Sequence, residues 1–305
     1  MDKREFKVLS SDNVHMLAGV VYLPEGEAKG LFHVVHGMTE HMGRYERFMA
    51  DMAKEGWICF GYDNLGHGRT AKDDSELGYI ADKRGWEFLA RDVGIFSEAV
   101  RAEYGNNDMP YVLMGHSMGS FISRLAAERY VKPQKLIIMG TGGPNPAAGA
   151  GIALIEAVKL FKGGKHISPM VDKLVFGDYN KKFKDSDVAP GAWITTDVEI
   201  RKKYAADRFC AFKFTVSAMG DLVRLLKYSN RGGWYKNLSG DISILLVSGE
   251  DDPVGGYGKG IITVRDKLTS AGKNVTCRLY SGARHEILND FTYDTVKNDI
   301  LNFCA

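Results

Sequence analysis

The chain has 305 residues, of which 45 % are apolar and 26 % charged, enough for a substantial core beneath an ordinary charged surface. A net charge of +2 leaves no reason to expect nucleic acid or a strongly acidic partner. Four scattered cysteines show no metal-type spacing and no disulfide framework, and Cys59 and Cys277 fall in apolar runs where core positions are expected.

From the N-terminus, Met1 to Phe6 carry no apolar segment of signal-peptide type, and no run in the chain approaches a membrane span; a cytoplasmic protein is expected. Glu5 to Leu9 and His15 to Leu23 read as strands joined by the hairpin signal Ser10 to Asn13. Leu31 to Val35 is a third strand, ending at His36-Gly37. Tyr45, Phe48, Met49, Met52 and Ala53 recur at helical spacing. Trp57 to Tyr62 is the next strand, the turn-rich stretch Asp63 to Thr70 follows, and Trp86, Leu89, Val93 and Val100 mark a second helix.

Tyr111 to Met114 reads as a buried strand, Gly115-His116-Ser117-Met118-Gly119 as a reversal, and Phe121 to Arg129 as a helix. This is a G-x-S-x-G nucleophile elbow in the setting it needs. Small residues must flank the serine for so tight a turn, and the helix that follows aims unpaired N–H groups at a developing negative charge. Lys135 to Met139 is a further strand. Strand-helix alternation then stops at Thr141 to Pro146 and resumes near Ser217. Asp221 to Tyr228 reads as helix, Ile242 to Val247 as strand, Ile261 to Leu268 as helix, Val275 to Tyr280 as strand, and Val296, Ile300 and Phe303 as a last helix. The expected fold is α/β, a mostly parallel eight-stranded sheet with helices on both faces and a helical cap inserted after the sixth strand. The expected division is core at 1–141, cap at 142–217 and core again at 218–305.

A serine needs a base to take its proton, and the base needs an orienting acid. In an open α/β sheet all three belong at the carboxyl ends of strands. After an elbow serine the acid comes next and the histidine last. Asp252 is the expected acid, in Glu250-Asp251-Asp252-Pro253 directly after a strand, because Pro253 fixes the chain beyond it. Glu250 and Asp251 are expected to be turn residues. His285 follows the last strand and is the only histidine C-terminal to that acid. Backbone N–H groups of Met118 and Met38 are the expected oxyanion donors.

The segments His36-Gly37-Met38-Thr39-Glu40-His41 with Arg44-Tyr45, Asp63 to Gly68, Gly115 to Gly119, Gly249 to Pro253 and Arg284-His285-Glu286 together resemble α/β-hydrolases of the monoacylglycerol lipase and lysophospholipase (serine aminopeptidase-like) family. The His-Gly-x-x-Glu-His-x-x-Arg-Tyr pattern is the most specific of them. It separates this group from epoxide hydrolases and haloalkane dehalogenases, which place Asp where this chain has Ser117. The resemblance implies the same triad and oxyanion pair, with Glu40, His41, Arg44 and Asp63 to Gly68 holding loops beneath the site. Leu65 departs from the family loop, which often has Arg or a similar residue there. The 142–217 segment resembles microbial relatives only in Trp193 to Thr215.

The expected activity is that of a serine carboxylester hydrolase on monoacylglycerol, lysophospholipid or short acyl esters, working through an acyl-enzyme without metal or organic cofactor. Two alternatives remain: an aminopeptidase of proline-iminopeptidase type, and a small-molecule receptor with vestigial catalysis. Leu154, Ile155, Val158 and Phe161 form an apolar stripe expected to pack on the main domain. Lys181-Lys182-Phe183-Lys184 and Arg201-Lys202-Lys203 read as solvated faces, so membrane-surface contact is expected to be at most transient.

Overall fold

Runs that are apolar at every position can be buried only if both faces of their sheet are covered. The computed structural model, which describes residues 1–177, 179–185 and 188–305, has strands β1 (Asp2–Leu9), β2 (Met16–Leu23), β3 (Gly30–Val35), β4 (Trp57–Tyr62), β5 (Tyr111–His116), β6 (Lys135–Met139), β7 (Ser243–Gly249) and β8 (Asn274–Tyr280). They form one sheet in the order β1-β2-β4-β3-β5-β6-β7-β8. β1 pairs antiparallel with β2, and β2 with β4; the other pairings are parallel.

The helices are α1 (Glu46–Lys54), α2 (Gly85–Tyr104), α3 (Met118–Arg129), α4 (Ala148–Lys162), α5 (Pro169–Phe176), α6 (Val198–Ala206), α7 (Val216–Ser229), α8 (Lys259–Ser270) and α9 (Tyr293–Cys304). Successive strand side chains point to opposite faces, and two separate apolar clusters result. Leu113, Leu136, Ile138, Ile244 and Leu246 join the one that contains Leu89, Val93 and Phe96 of α2, Leu125 of α3 and Val264 of α8. Their neighbours Val112, Met114, Ile137, Leu245 and Val247 join the other, with Phe48 and Met52 of α1 and Val296 and Ile300 of α9. The helices therefore cover both faces, as an α/β sheet requires.

Register sets the site. His116 pairs with Met139 at the end of β5 and β6, Met139 with Val247, and Gly249 with Tyr280 at the end of β7 and β8. Ser117, Asp252 and His285 thus follow strands that finish at one edge of the sheet.

Three details differ from the sequence reading. α3 begins at Met118, directly after the serine in the strained turn, and α7 begins at Val216, where the Thr215 side chain accepts from the Ala218 N–H; the turn and that cap, not apolar spacing, set these starts. Cys277 is half-buried, packing against the core from the edge strand β8 rather than lying inside it. In the apolar stripe of α4, Ile155 is buried and Val158 packs on the core, but Leu154 and Phe161 are 43 % and 81 % exposed. Between β6 and α7 the described residues form α4, α5 and α6 and no strand. Positions 178, 186 and 187 of the expected 142–217 cap lie outside the described residues. No helix among the described residues is long and apolar enough to cross a membrane.

Candidate active site

At the elbow, Ser117 has φ 53° and ψ −121°, a left-handed conformation that a side-chain-bearing residue adopts only when its surroundings enforce it. They do so here through hydrogen bonds. Ser117 N–H donates to Met139 O at 3.0 Å, and Ser117 O accepts from Ser120 N–H at 2.9 Å and from Ser120 Oγ at 2.6 Å. Gly119 is required because a Cβ there would lie against the carbonyls of Val35 and His36. Ser117 Oγ opens into a cavity of about 650 Å³.

Asp252 is fully buried. Its Oδ2 accepts from His285 Nδ1 at 2.9 Å and from Ser248 Oγ at 3.1 Å, and its Oδ1 from Val254 N–H at 2.8 Å. Burial opposes its charge, yet the His285 imidazole and the Val254 N–H outweigh that and hold its carboxyl below the usual carboxylate range. With Nδ1–H given to Asp252, His285 keeps its lone pair on Nε2. His285 lines the same cavity as Ser117, wedged between Trp193 and His116 at ring-centroid distances of 5.1 and 4.7 Å. Among the described residues Ser117 Oγ makes no hydrogen bond. The structure therefore joins Asp252 to His285 directly and brings Ser117 to them across a shared space. Asp251, by contrast, is exposed.

Met38 and Met118 line that space too. Met118 is the first residue of α3, and among the described residues neither methionine N–H has a protein acceptor. Two buried histidines shape the loop that carries Met38. His36 Nδ1–H donates to Gly37 O at 2.8 Å while its Nε2 accepts from Asn64 N–H at 2.8 Å. His67 Nδ1–H donates to Leu65 O at 2.9 Å, and its Nε2 accepts from Thr39 N–H at 3.3 Å. Burial pushes the His67 ring down to about 3, so it stays neutral. Leu65, where the family pattern is broken, is buried in the core. Asp63 completes the brace by accepting from the N–H groups of Met42 and Arg69, each at 2.8 Å.

Beneath the pair lies a cluster the sequence could not assemble. Glu40 Oε1 accepts from Gly37 N–H, from Tyr45 O–H at 2.9 Å and from His116 Nδ1 at 3.0 Å. Arg44 reaches Glu40 at 3.2 Å and Glu286 at 2.5 and 2.6 Å. All six of these residues stand in family motifs, but no spacing says which acid meets which base. His41, Asp207 and Cys210 also converge, their ligand atoms within 4.8 Å. His41 Nδ1 accepts from Gly43 N–H at 3.2 Å, however, so its Nε2–H donates to Asp207 at 3.0 Å and no ring lone pair is left for a metal.

The cavity lining includes the apolar side chains of Phe121, Val175, Phe176, Leu222 and Leu226 and the polar ones of Glu40, His116, Tyr204 and Glu286. A sheet of this order, with a strained serine at one strand end and an acid–histidine pair at two others, is an α/β-hydrolase fold. Residues 26–292 match the family described as serine aminopeptidase, S33, and the chain belongs to it. It is similar to a monoacylglycerol lipase of Mycolicibacterium smegmatis, 24 % identical over 97 % of this chain and 98 % of that one. A monoglyceride lipase of mouse is 36 % identical, but over 35 % of this chain and only a third, 33 %, of its own length. Among solved structures, a thermostable carboxyl esterase of Bacillus coagulans superposes with a TM-score of 0.92 at 28 % identity, covering 100 % of this chain and 98 % of that one. A monoglyceride lipase of Saccharomyces cerevisiae has a TM-score of 0.75 at 20 % identity, covering 99 % and 93 %.

Proposed function

We propose that this protein is a serine carboxylester hydrolase acting on monoacylglycerol, lysophospholipid or short acyl esters. The observation that carries the reading is the Asp252–His285 pair at 2.9 Å, facing the strained Ser117 across one cavity. Ser117 Oγ attacks the ester carbonyl as its proton passes to His285 Nε2. The oxyanion accepts from the N–H groups of Met38 and Met118, each such donor being worth about 3 kcal/mol. His285 returns the proton to the departing alcohol, leaving an acyl-enzyme. A water then gives one proton to His285 and its hydroxyl to the acyl carbon, and His285 passes that proton to Ser117 Oγ as the acyl–oxygen bond breaks and the free acid leaves. The hydrogen bond from serine to base tightens in the substrate complex, as in other sites of this kind.

A cavity lined by both apolar and polar side chains suits an acyl chain together with a hydroxylated alcohol. The similarity to lipases and to a carboxyl esterase supports the same reading. The family description names an aminopeptidase, which would need free carboxylates for a substrate's ammonium group. Of the three acids that line the cavity among the described residues, Glu40 and Glu286 are paired with His116 and Arg44, which leaves Asp172. Nitrophenyl esters should therefore be preferred over amino-acid nitroanilides, and the opposite preference would favour the peptidase.

Segment 142–217 acts in this proposal as a cap that helps shape the cavity, since Val175, Phe176 and Tyr179 line it. The outer end of α4 carries Leu160 and Phe161, each 81 % exposed, between Lys159 and Lys162. We assign to it brief contact with aggregated lipid ester. A fluorophosphonate probe should label the wild type and not Ser117→Ala; equal labelling of the two proteins removes the serine assignment.

A further inference from the structure

His116 is the last residue of β5, one position before the nucleophile, and is 3 % exposed. Its two ring nitrogens face acceptors in opposite directions. Nε2 lies 3.3 Å from the carbonyl oxygen of His285, which can only accept, so Nε2 carries a proton. Nδ1 lies 3.0 Å from Glu40 Oε1. That oxygen already accepts from Gly37 N–H and Tyr45 O–H, while Oε2 accepts from Arg44. A protonated carboxyl would have to place its hydrogen on the crowded Oε1 to reach the ring, at the expense of one of those bonds. The carboxyl is therefore ionised and Nδ1 is the donor. The Tyr45 oxygen, also 3.0 Å from Nδ1, can share that proton because its own goes to Glu40.

Charge balance points the same way. The loop after β3 contributes Glu40, Arg44 and Tyr45, and the loop after β8 contributes Glu286 and the neighbouring ring of His285. From the loop after β7 comes the more distant field of Asp252. Arg44 offsets one of the two paired glutamates, which leaves one negative charge in a buried cluster unless His116 is positive, and an uncompensated buried charge is strongly destabilising.

We propose that His116 is a buried imidazolium that acts as a positioning residue, tying the main chain of the base, His285, to the oxyanion loop through Glu40. The two halves of the site are thereby braced by one ring. Burial pushes the His116 ring down, but the Glu40 carboxylate, with Glu286 behind it, more than offsets this and holds it above the usual histidine range. Loss of either proton at alkaline pH releases either Glu40 or the His285 carbonyl, and the base drifts.

The direct test is long-range proton–nitrogen NMR of the histidine rings in the full-length wild type, with His116→Gln to assign the signals. Both ring nitrogens of His116 should show imidazolium shifts at about pH 8. A neutral tautomer there overturns the proposal. The kinetic arm rests on the ester-hydrolase reading: the alkaline limb of kcat on a nitrophenyl ester should follow the same titration. Glu40→Gln should move both by about one pH unit or more towards neutrality. An alkaline limb that ignores Glu40→Gln overturns the positioning role. If Glu40→Gln does not fold, the wild-type spectra and their match to the wild-type limb decide. The ring spectra need no substrate, so failure of the ester reading, seen as absent fluorophosphonate labelling, is distinguishable from failure here.

Discussion

Asp252 is out of contact with water and still ionised, because three donors converge on its two oxygens. Its role is to fix the ring of His285 in one tautomer. An asparagine can turn its NH2 towards that ring and favour the other tautomer, with the proton on Nε2. Asp252→Asn is therefore expected to lower kcat by roughly 10⁴-fold with KM little changed, whereas Asp251→Asn, at an exposed position, should leave both near wild type; steady-state kinetics on one soluble ester checks the pair. The sign of the pH effect follows from the depressed carboxyl of Asp252. Its contribution to stability is present above the unfolded-state carboxylate range and is lost as pH falls through its lower folded value. At this scale chain order made Ser117, Asp252 and His285 legible as candidates, since each follows a strand. Ser248 as a donor to Asp252, and Glu40 as the partner of His116 76 residues away, were not. Such partners depend on where loops fold back, and a lone sequence holds no record of that.

At the scale of elements, the elbow and the contact between α7 and α2 each hang on one position. A methyl group at Gly119 meets two strand-end carbonyls of β3 and its loop, so α3 would have to back away from β3 and carry Met118 with it. Gly119→Ala should cost at least tenfold in kcat and destabilise the fold by roughly 1–3 kcal/mol, read from esterase assays and urea unfolding. Asp221 of α7 is buried, and among the described residues one of its oxygens, Oδ2, has no partner. Burial raises its carboxyl to about 7. The folded state thus binds more protons than the unfolded one between the usual carboxylate range and about 7, and stability falls as pH rises across that window. Asp221→Asn keeps an acceptor for the Trp86 N–H and removes the charge. It should stabilise the protein on the order of 2 kcal/mol near pH 8 and not at all near pH 4, measured by thermal melts at the two values. Strand identity was legible here because both alternating sets of residues in β5, β6 and β7 are apolar. Helix starts were less so, because they depend on caps such as Thr215.

For the whole molecule, the helix least well read from sequence is the one that faces outward. α4 has apolar residues around more than one side, and it packs on α7. One neighbouring helix can cover one stripe, so Ile155 is buried while Leu160 and Phe161 remain in water. Spacing alone cannot say which part of a broad apolar helix stays outside. Two adjacent large side chains at 81 % exposure lose solvent contact only when something comes to them, and burying each fully is worth about 1.5–3 kcal/mol. Partial insertion of both into a lipid aggregate would therefore shift binding by roughly tenfold or more. The double variant Leu160→Ser, Phe161→Ser should raise KM for monoolein dispersions by that factor, while kcat and KM for a dissolved short-chain nitrophenyl ester stay unchanged. Equal loss on both substrates would place the two residues in the folding of segment 142–217 instead. No loss on either would leave α4 without a part in reaching its substrate.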